Sequence, residues 1–171
     1  LVLPCAACFV PDATVLENWG STECPAGYDT QYSGFVMTQH HTQYRQSPIC
    51  VTSAIEGYQT GRGVPHWSSI YPTEIELNGG SIARTFSNYE GMMNNFEATC
   101  SVCTSRVPDE PAAPGASIMI PARTTCPANT TKLFGGLLAG AHYTQQGGVG
   151  RSICLNEKPT WVGTVYRNQN A

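Results

Sequence analysis

Two histidines, His40 and His142, occupy the same place in two similar stretches of this chain, and each leads a short polar series. After His40 come His41, Thr42, Gln43 and, two residues on, Arg45; after His142 come Tyr143, Thr144, Gln145 and, further on, Arg151. Neutral imidazole, hydroxyl and amide groups both donate and accept hydrogen bonds, as the hydroxyls of a sugar require. In an extended strand alternate side chains share a face, so His40 and Thr42 are expected to project together. The bland alternative is a pair of scaffold histidines bonded to neighbouring carbonyls; a zinc site built from His40, His41 and His142 is a third reading. Trp67 stands in the loop-like run Gly61-Arg62-Gly63-Val64-Pro65-His66-Trp67, where a large ring is costly unless packed or used, and is the next candidate for sugar contact. Trp19 and Trp161 sit beside expected strands and read as packing residues.

Eight cysteines, an even number, are the second chemical signal: Cys5, Cys8, Cys24, Cys50, Cys100, Cys103, Cys126 and Cys154. Two C-x-x-C pairs could supply four zinc ligands, but they lie far apart and four further cysteines need partners. In a chain with 12% charged residues, two lysines and abundant Gly, Pro, Ser, Thr and Asn, the count reads as a disulfide framework in an oxidising, extracellular compartment. The sequon Asn129-Thr130-Thr131 offers Asn129 as a glycosylation site, consistent with secretion.

Enzymatic signatures are missing. There is no G-x-S-x-G elbow and no H-E-x-x-H, and Gly147-Gly148-Val149-Gly150 lacks the lysine of a phosphate loop. Glu74 and Glu76, two apart, could share a strand face as a carboxylate pair, although solvated charges are the commoner outcome. No catalytic residue, metal or cofactor is assigned. A net charge of −3 with no basic cluster excludes a nucleic-acid face, and no apolar run approaches the ~20 residues of a membrane span.

The elements that must carry these groups come from an internal repeat. Residues 24–43 (CPAGYDTQYSGFVMTQHHTQ) and 126–145 (CPANTTKLFGGLLAGAHYTQ) align without a gap and share seven of twenty positions. Ser47-Pro48-Ile49-Cys50 then realigns with Arg151-Ser152-Ile153-Cys154, and a C-x-x-C precedes each copy. One all-β domain over 1–171 is expected: two tandem repeats, about 1–99 and 100–171, related by a pseudo-two-fold, with a Pro-rich linker at 104–115. Strands are expected near 36–42, 117–121, 133–138 and 152–155, where apolar and β-branched residues lie between Gly, Pro and Asn. Gly34 and Gly136 mark a bulge or close backbone approach, and 91–99 is the best short-helix window. Tyr32/Phe134, Phe35/Leu137 and Val36/Leu138 are the expected equivalent core pairs. Equivalent bridges in both halves would be Cys24–Cys50 and Cys126–Cys154, leaving the two C-x-x-C pairs to bond with each other.

The run W-G-x-T-x-C-P-x-G from Trp19, then Tyr32-Ser33-Gly34 and His40-His41-Thr42, with 118–127 (IMIPARTTCP) in the second half, resembles the C-terminal non-collagenous domain of invertebrate short-chain collagens. These are the spongin-like proteins of sponges and other marine invertebrates. Residues 69–76 (SIYPTEIE) and Cys100-Ser101-Val102-Cys103 fall where that family has similar segments, and the duplicated layout is more remotely similar to the C-terminal domain of type IV collagen. The resemblance implies a secreted, self-associating matrix domain, or a marine-invertebrate lectin on the same fold. Together with the paired His strips it leads to one expectation: a calcium-independent, carbohydrate-binding protein that recognises glycans or glycoproteins and is multivalent as a homo-oligomer. The alternative is a structural matrix domain without sugar binding.

Overall fold

The protein is described by a computed structural model covering residues 3–40, 42, 46–57, 70–75, 96–106, 114–140, 150–158 and 160. These residues are all-β. Strand β1 (Pro4–Val10) and β2 (Ala13–Trp19) are followed by β3 (Asp29–Thr38), β4 (Ile49–Thr52), the short β5 (Tyr71–Pro72), β6 (Glu74–Ile75) and β7 (Phe96–Glu97). The second half adds β8 (Thr99–Arg106), β9 (Ala116–Pro121), β10 (Thr131–Ala139) and β11 (Ile153–Asn156). One sheet runs β11-β10-β1-β9, the other β4-β3-β8-β2 with β5 paired to the end of β3, and β6 and β7 pair separately.

The halves do not fold side by side. The C-x-x-C strand of each half lies in the sheet built from the other half's strands. β1 is flanked by β10 and β9, and β8 by β3 and β2, all antiparallel. The change of sheet is made by two residues, Pro11 and Asp12, whose Asp adopts a left-handed φ of 49° that a short polar side chain tolerates better than most. Registers correspond between the sheets. Gly34 opposes Cys100 as Gly136 opposes Cys5, and both ladders slip once, between Thr30 and Tyr32 and between Ala7 and Cys8.

That exchange overturns the expected disulfide map. The bonds are Cys5–Cys154, Cys8–Cys126, Cys24–Cys103 and Cys50–Cys100, with Cα–Cα distances of 5.6–5.8 Å. Every bridge joins one half to the other, so the expected within-repeat pairs Cys24–Cys50 and Cys126–Cys154 do not form. The two C-x-x-C pairs cannot meet because β1 and β8 lie in different sheets. Chain separations of 50 to 149 residues make each closure worth roughly 4–5 kcal/mol taken alone, in the chain-entropy account.

The core is lean and sulfur-rich. Ala6, Cys8, Val10 and Ala13 pack with Val36, Cys50, Cys100, Val102, Ile118 and Ile120, all under 9% exposed. Small side chains in β1 (PCAACFV) let β9 and β10 close around it, and β9 in turn packs against β2 and β4 of the other sheet. Of the expected core pairs, Val36 is buried and Tyr32 packs on the core, whereas Phe35 (36% exposed) and Leu137 (44%) face solvent. Gly34 and Gly136 are close-approach sites: a Cβ would lie 1.8 Å from the carbonyl oxygen of Val51 or Leu155.

Boundaries shifted in three places. β3 stops at Thr38, before the histidines, because the chain turns at Thr42 and β5 takes over the ladder. Strand β8 runs through Arg106, so 104–106 are strand, not linker, held by pairing with β2. Phe96–Glu97 and Thr99 are also strand, so the helical spacing over 91–99 loses to sheet pairing where that window is described. No helix among the described residues is long and apolar enough to cross a membrane.

Candidate functional site

Of the expected sugar strips, His40, Thr42 and Arg151 are described. His41, Gln43, Arg45, Trp67, His142, Tyr143, Thr144 and Gln145 lie outside the described residues, as does Trp161. His40 and Thr42 do come together, but through a turn and not along a strand. The Thr42 hydroxyl lies 2.8 Å from His40 Nδ1, and the Thr42 N–H donates to the same nitrogen at 3.4 Å. The imidazole also meets Tyr71 edge-on at 5.3 Å between centroids, a contact set by the pairing of β5 with β3. His40 therefore closes a local turn, which is the scaffold reading of that residue. Asn129 of the sequon is exposed in the turn before β10, with φ 62°. Among the described residues no group of three His, Cys, Asp or Glu converges as a metal site.

Arg151 belongs elsewhere. It lines a cleft of about 750 Å³ between the two sheets, within the size range of ligand sites. One wall is β2, where Val15, Glu17 and Trp19 alternate onto one face and are all exposed, Trp19 to 43%. β2 is the end strand of its sheet, so this row has β8 on one side and the open cleft on the other. Across the cleft stand Ser47, Pro48, Arg151 and Ser152. The buried lining includes Cys50, Val102, Ile118 and Pro121, all under 9% exposed, with the half-buried Tyr32 beside them.

The far wall is anchored where the halves meet. Gln46 bridges to Gly150 in parallel, the Ser47 N–H donates to the Gly150 carbonyl at 2.6 Å, and the buried Gln46 Nε2 donates to Ser152 Oγ at 2.5 Å. Arg151 is thus held at both neighbours, while its guanidinium makes no hydrogen bond or ion pair with any described residue. The Glu17 carboxylate is likewise without a partner among the described residues, and the two do not pair with each other. Tyr32 fixes the spacing of the walls. Its hydroxyl is shared between the carbonyl oxygens of Cys50 (3.2 Å) and Met119 (3.1 Å), one in each sheet. Burial, and secondarily the Glu17 carboxylate, push its ionisation far above the ordinary tyrosine range.

Trp19 was expected to be packing and Glu17 was not singled out at all. The available signal was the period-two row Val15-x-Glu17-x-Trp19, an apolar, acidic and aromatic alternation on one strand face. Four disulfides suggest a protein of an oxidising, extracellular compartment. No protein-family model, curated protein or solved structure matches the chain.

Proposed function

We propose that this chain is an extracellular carbohydrate-binding module whose sugar site is the cleft between its sheets, working without calcium and gaining avidity by self-association. One observation carries the reading: an exposed indole, and a carboxylate and a guanidinium without partners among the described residues, line one concave site. An indole face stacks on the apolar face of a pyranose, a carboxylate accepts from adjacent hydroxyls, and a guanidinium donates to ring or hydroxyl oxygens. Single-site affinity is expected in the millimolar range, about −4 kcal/mol, because sugar–protein bonds replace sugar–water bonds of similar strength. The test is agglutination of glycan-coated beads, with titration calorimetry of soluble oligosaccharides. Binding that survives chelator, is reversed by free sugar and is lost in Trp19→Ala supports the reading. Binding lost in a folded His40→Ala variant but kept in Trp19→Ala would return the site to the histidine strip.

A second reading, a self-associating matrix domain of the short-chain collagen type, is favoured by a different observation. Leu133, Leu137, Ile153 and Leu155 are 38–53% exposed on β10 and β11, with Leu137 directly opposite Leu155. A contiguous exposed apolar face of this kind fits contact with a second copy. Sedimentation velocity of the wild type and of Leu137→Lys over a concentration series tests it. A sugar-blind oligomer that Leu137→Lys dissociates supports the matrix role.

A further inference from the structure

We propose that the cleft selects a carboxylated saccharide, a sialic or uronic acid unit, with its carboxylate on Arg151, its hydroxyls toward Glu17 and its apolar face on Trp19. The proposal rests on the reading of the cleft as a glycan site and names the sugar chemistry.

The argument begins with charge placement. The described lining holds one cation and one anion, Arg151 on one wall and Glu17 on the other, and they do not neutralise each other. In a chain with 12% charged residues, Arg151 is an exposed guanidinium on the cleft lining with no partner among the described residues, so it is open to a ligand. A guanidinium presents a planar fork that matches a carboxylate with two parallel bonds, stronger and more directional than its bonds to neutral hydroxyls. The backbone that carries Arg151 is held on either side, Gly150 by Ser47 and Ser152 by Gln46.

Glu17 sets the orientation. Its carboxylate repels an acid group and accepts from hydroxyls, so the anionic end of a ligand is directed to the Arg151 wall and the polyol edge to β2. Trp19, two residues along the same strand face, supplies the stacking surface beside it. A simple carboxylic acid would use Arg151 and leave Glu17 and Trp19 idle; a neutral sugar would use Glu17 and Trp19 and leave the guanidinium unmatched. An acidic sugar uses all three.

The experiment is titration calorimetry of the intact, oxidised protein with sialyllactose, a glucuronic-acid-terminated oligosaccharide, lactose and acetate, each at low and at 0.5 M salt. The expected result is binding of one or both acidic sugars at least tenfold tighter than lactose, weakened by salt because the exposed charge contact is screened, with acetate far weaker. Arg151→Gln, checked for an unchanged melting curve, should reduce the acidic preference to less than twofold, while Trp19→Ala should weaken acidic and neutral sugars alike. Lactose binding as tightly as the acidic sugars, or an acidic preference that survives Arg151→Gln, overturns the proposal and leaves the glycan reading standing. Failure of every sugar overturns both. Acetate binding as tightly as the acidic sugars also overturns it, since the site would then read only a carboxylate.

Discussion

The Tyr32 hydroxyl donates to the carbonyl oxygen of Met119 at 3.1 Å, and this bond runs from one sheet to the other. The same hydroxyl is shared with Cys50 O in its own sheet. Phe134 holds the corresponding position in the other half of the chain and has no such group. Tyr32→Phe should therefore keep the ring packing and lose the tie, costing about 1–3 kcal/mol because buried carbonyls lose their donor. Urea denaturation measures the loss, and sugar affinity should fall with it as the cleft walls lose their spacer.

The same tyrosine gives the protein an alkaline limit. Its ionisation is raised in the folded state, so the unfolded chain releases the proton first. The stabilisation is complete below the unfolded value of about 10 and is lost progressively as pH rises above it. Ultraviolet titration should show one of the eight tyrosines ionising only on unfolding, and Tyr32→Phe should flatten the alkaline fall in melting temperature.

Glu56 provides the acid counterpart. Its Oε2 accepts from the Thr124 hydroxyl at 2.6 Å and from the Thr124 N–H at 2.9 Å, clipping the turn after β4 to the turn after β9. These bonds lower its pKa. The contribution is present above the ordinary carboxylate value and is lost as pH falls through the depressed one. Its ion pair with Arg123, 3.6 Å and more than a third exposed on both sides, adds little. Glu56→Gln should lower the melting temperature at pH 7 and shrink the difference between pH 7 and pH 3.

Gly34→Ala and Gly136→Ala place a methyl carbon against a backbone oxygen and should both destabilise, by unequal amounts. At Gly136 the obstructing strand is β11, whose Leu155 is 38% exposed and free to yield, so a cost of about 1–3 kcal/mol is expected. At Gly34 the obstructing Val51 is fully buried, and the loss should be larger. Denaturation midpoints of the two variants check the order.

Non-reducing peptide mapping should recover Cys5–Cys154, Cys8–Cys126, Cys24–Cys103 and Cys50–Cys100 with no free thiol. Recovery of Cys24–Cys50 would contradict the exchanged strands.

The fold class was legible because Gly, Pro and Asn punctuate short β-branched runs, and β9, β10 and β11 fall within two residues of their expected places. The exchange was not. Aligning 24–43 with 126–145 shows that the halves are alike, but a strand's sequence carries no mark of which half supplies its neighbour. β1 and β8 were missed because PCAACFV and TCSVCTSR are short of large apolar residues; their burial comes from sulfur bridges and small side chains that let other strands approach. The candidate site was legible only at Arg151. His40 drew notice because it recurs, and in the structure it bonds Thr42 within a turn, while Trp19 and Glu17 sit in a wall that exists only once two distant segments meet.

The exchanged strands also set an order of events during biosynthesis. Cys5 leaves the ribosome early and must stay unpaired, or be repaired, until Cys154 arrives 149 residues later; Cys8 waits 118 residues for Cys126. Between Cys8 and Cys126 four other cysteines emerge, so oxidation in order of appearance would trap wrong pairs. The β4-β3-β8-β2 sheet is complete once β8 is made, whereas β1 must wait for β9 and β10, so the first strand of the chain is among the last to be paired. Maturation of this chain should therefore depend on thiol–disulfide exchange after synthesis, and added disulfide isomerase should speed the return of the reduced protein to its native bonds.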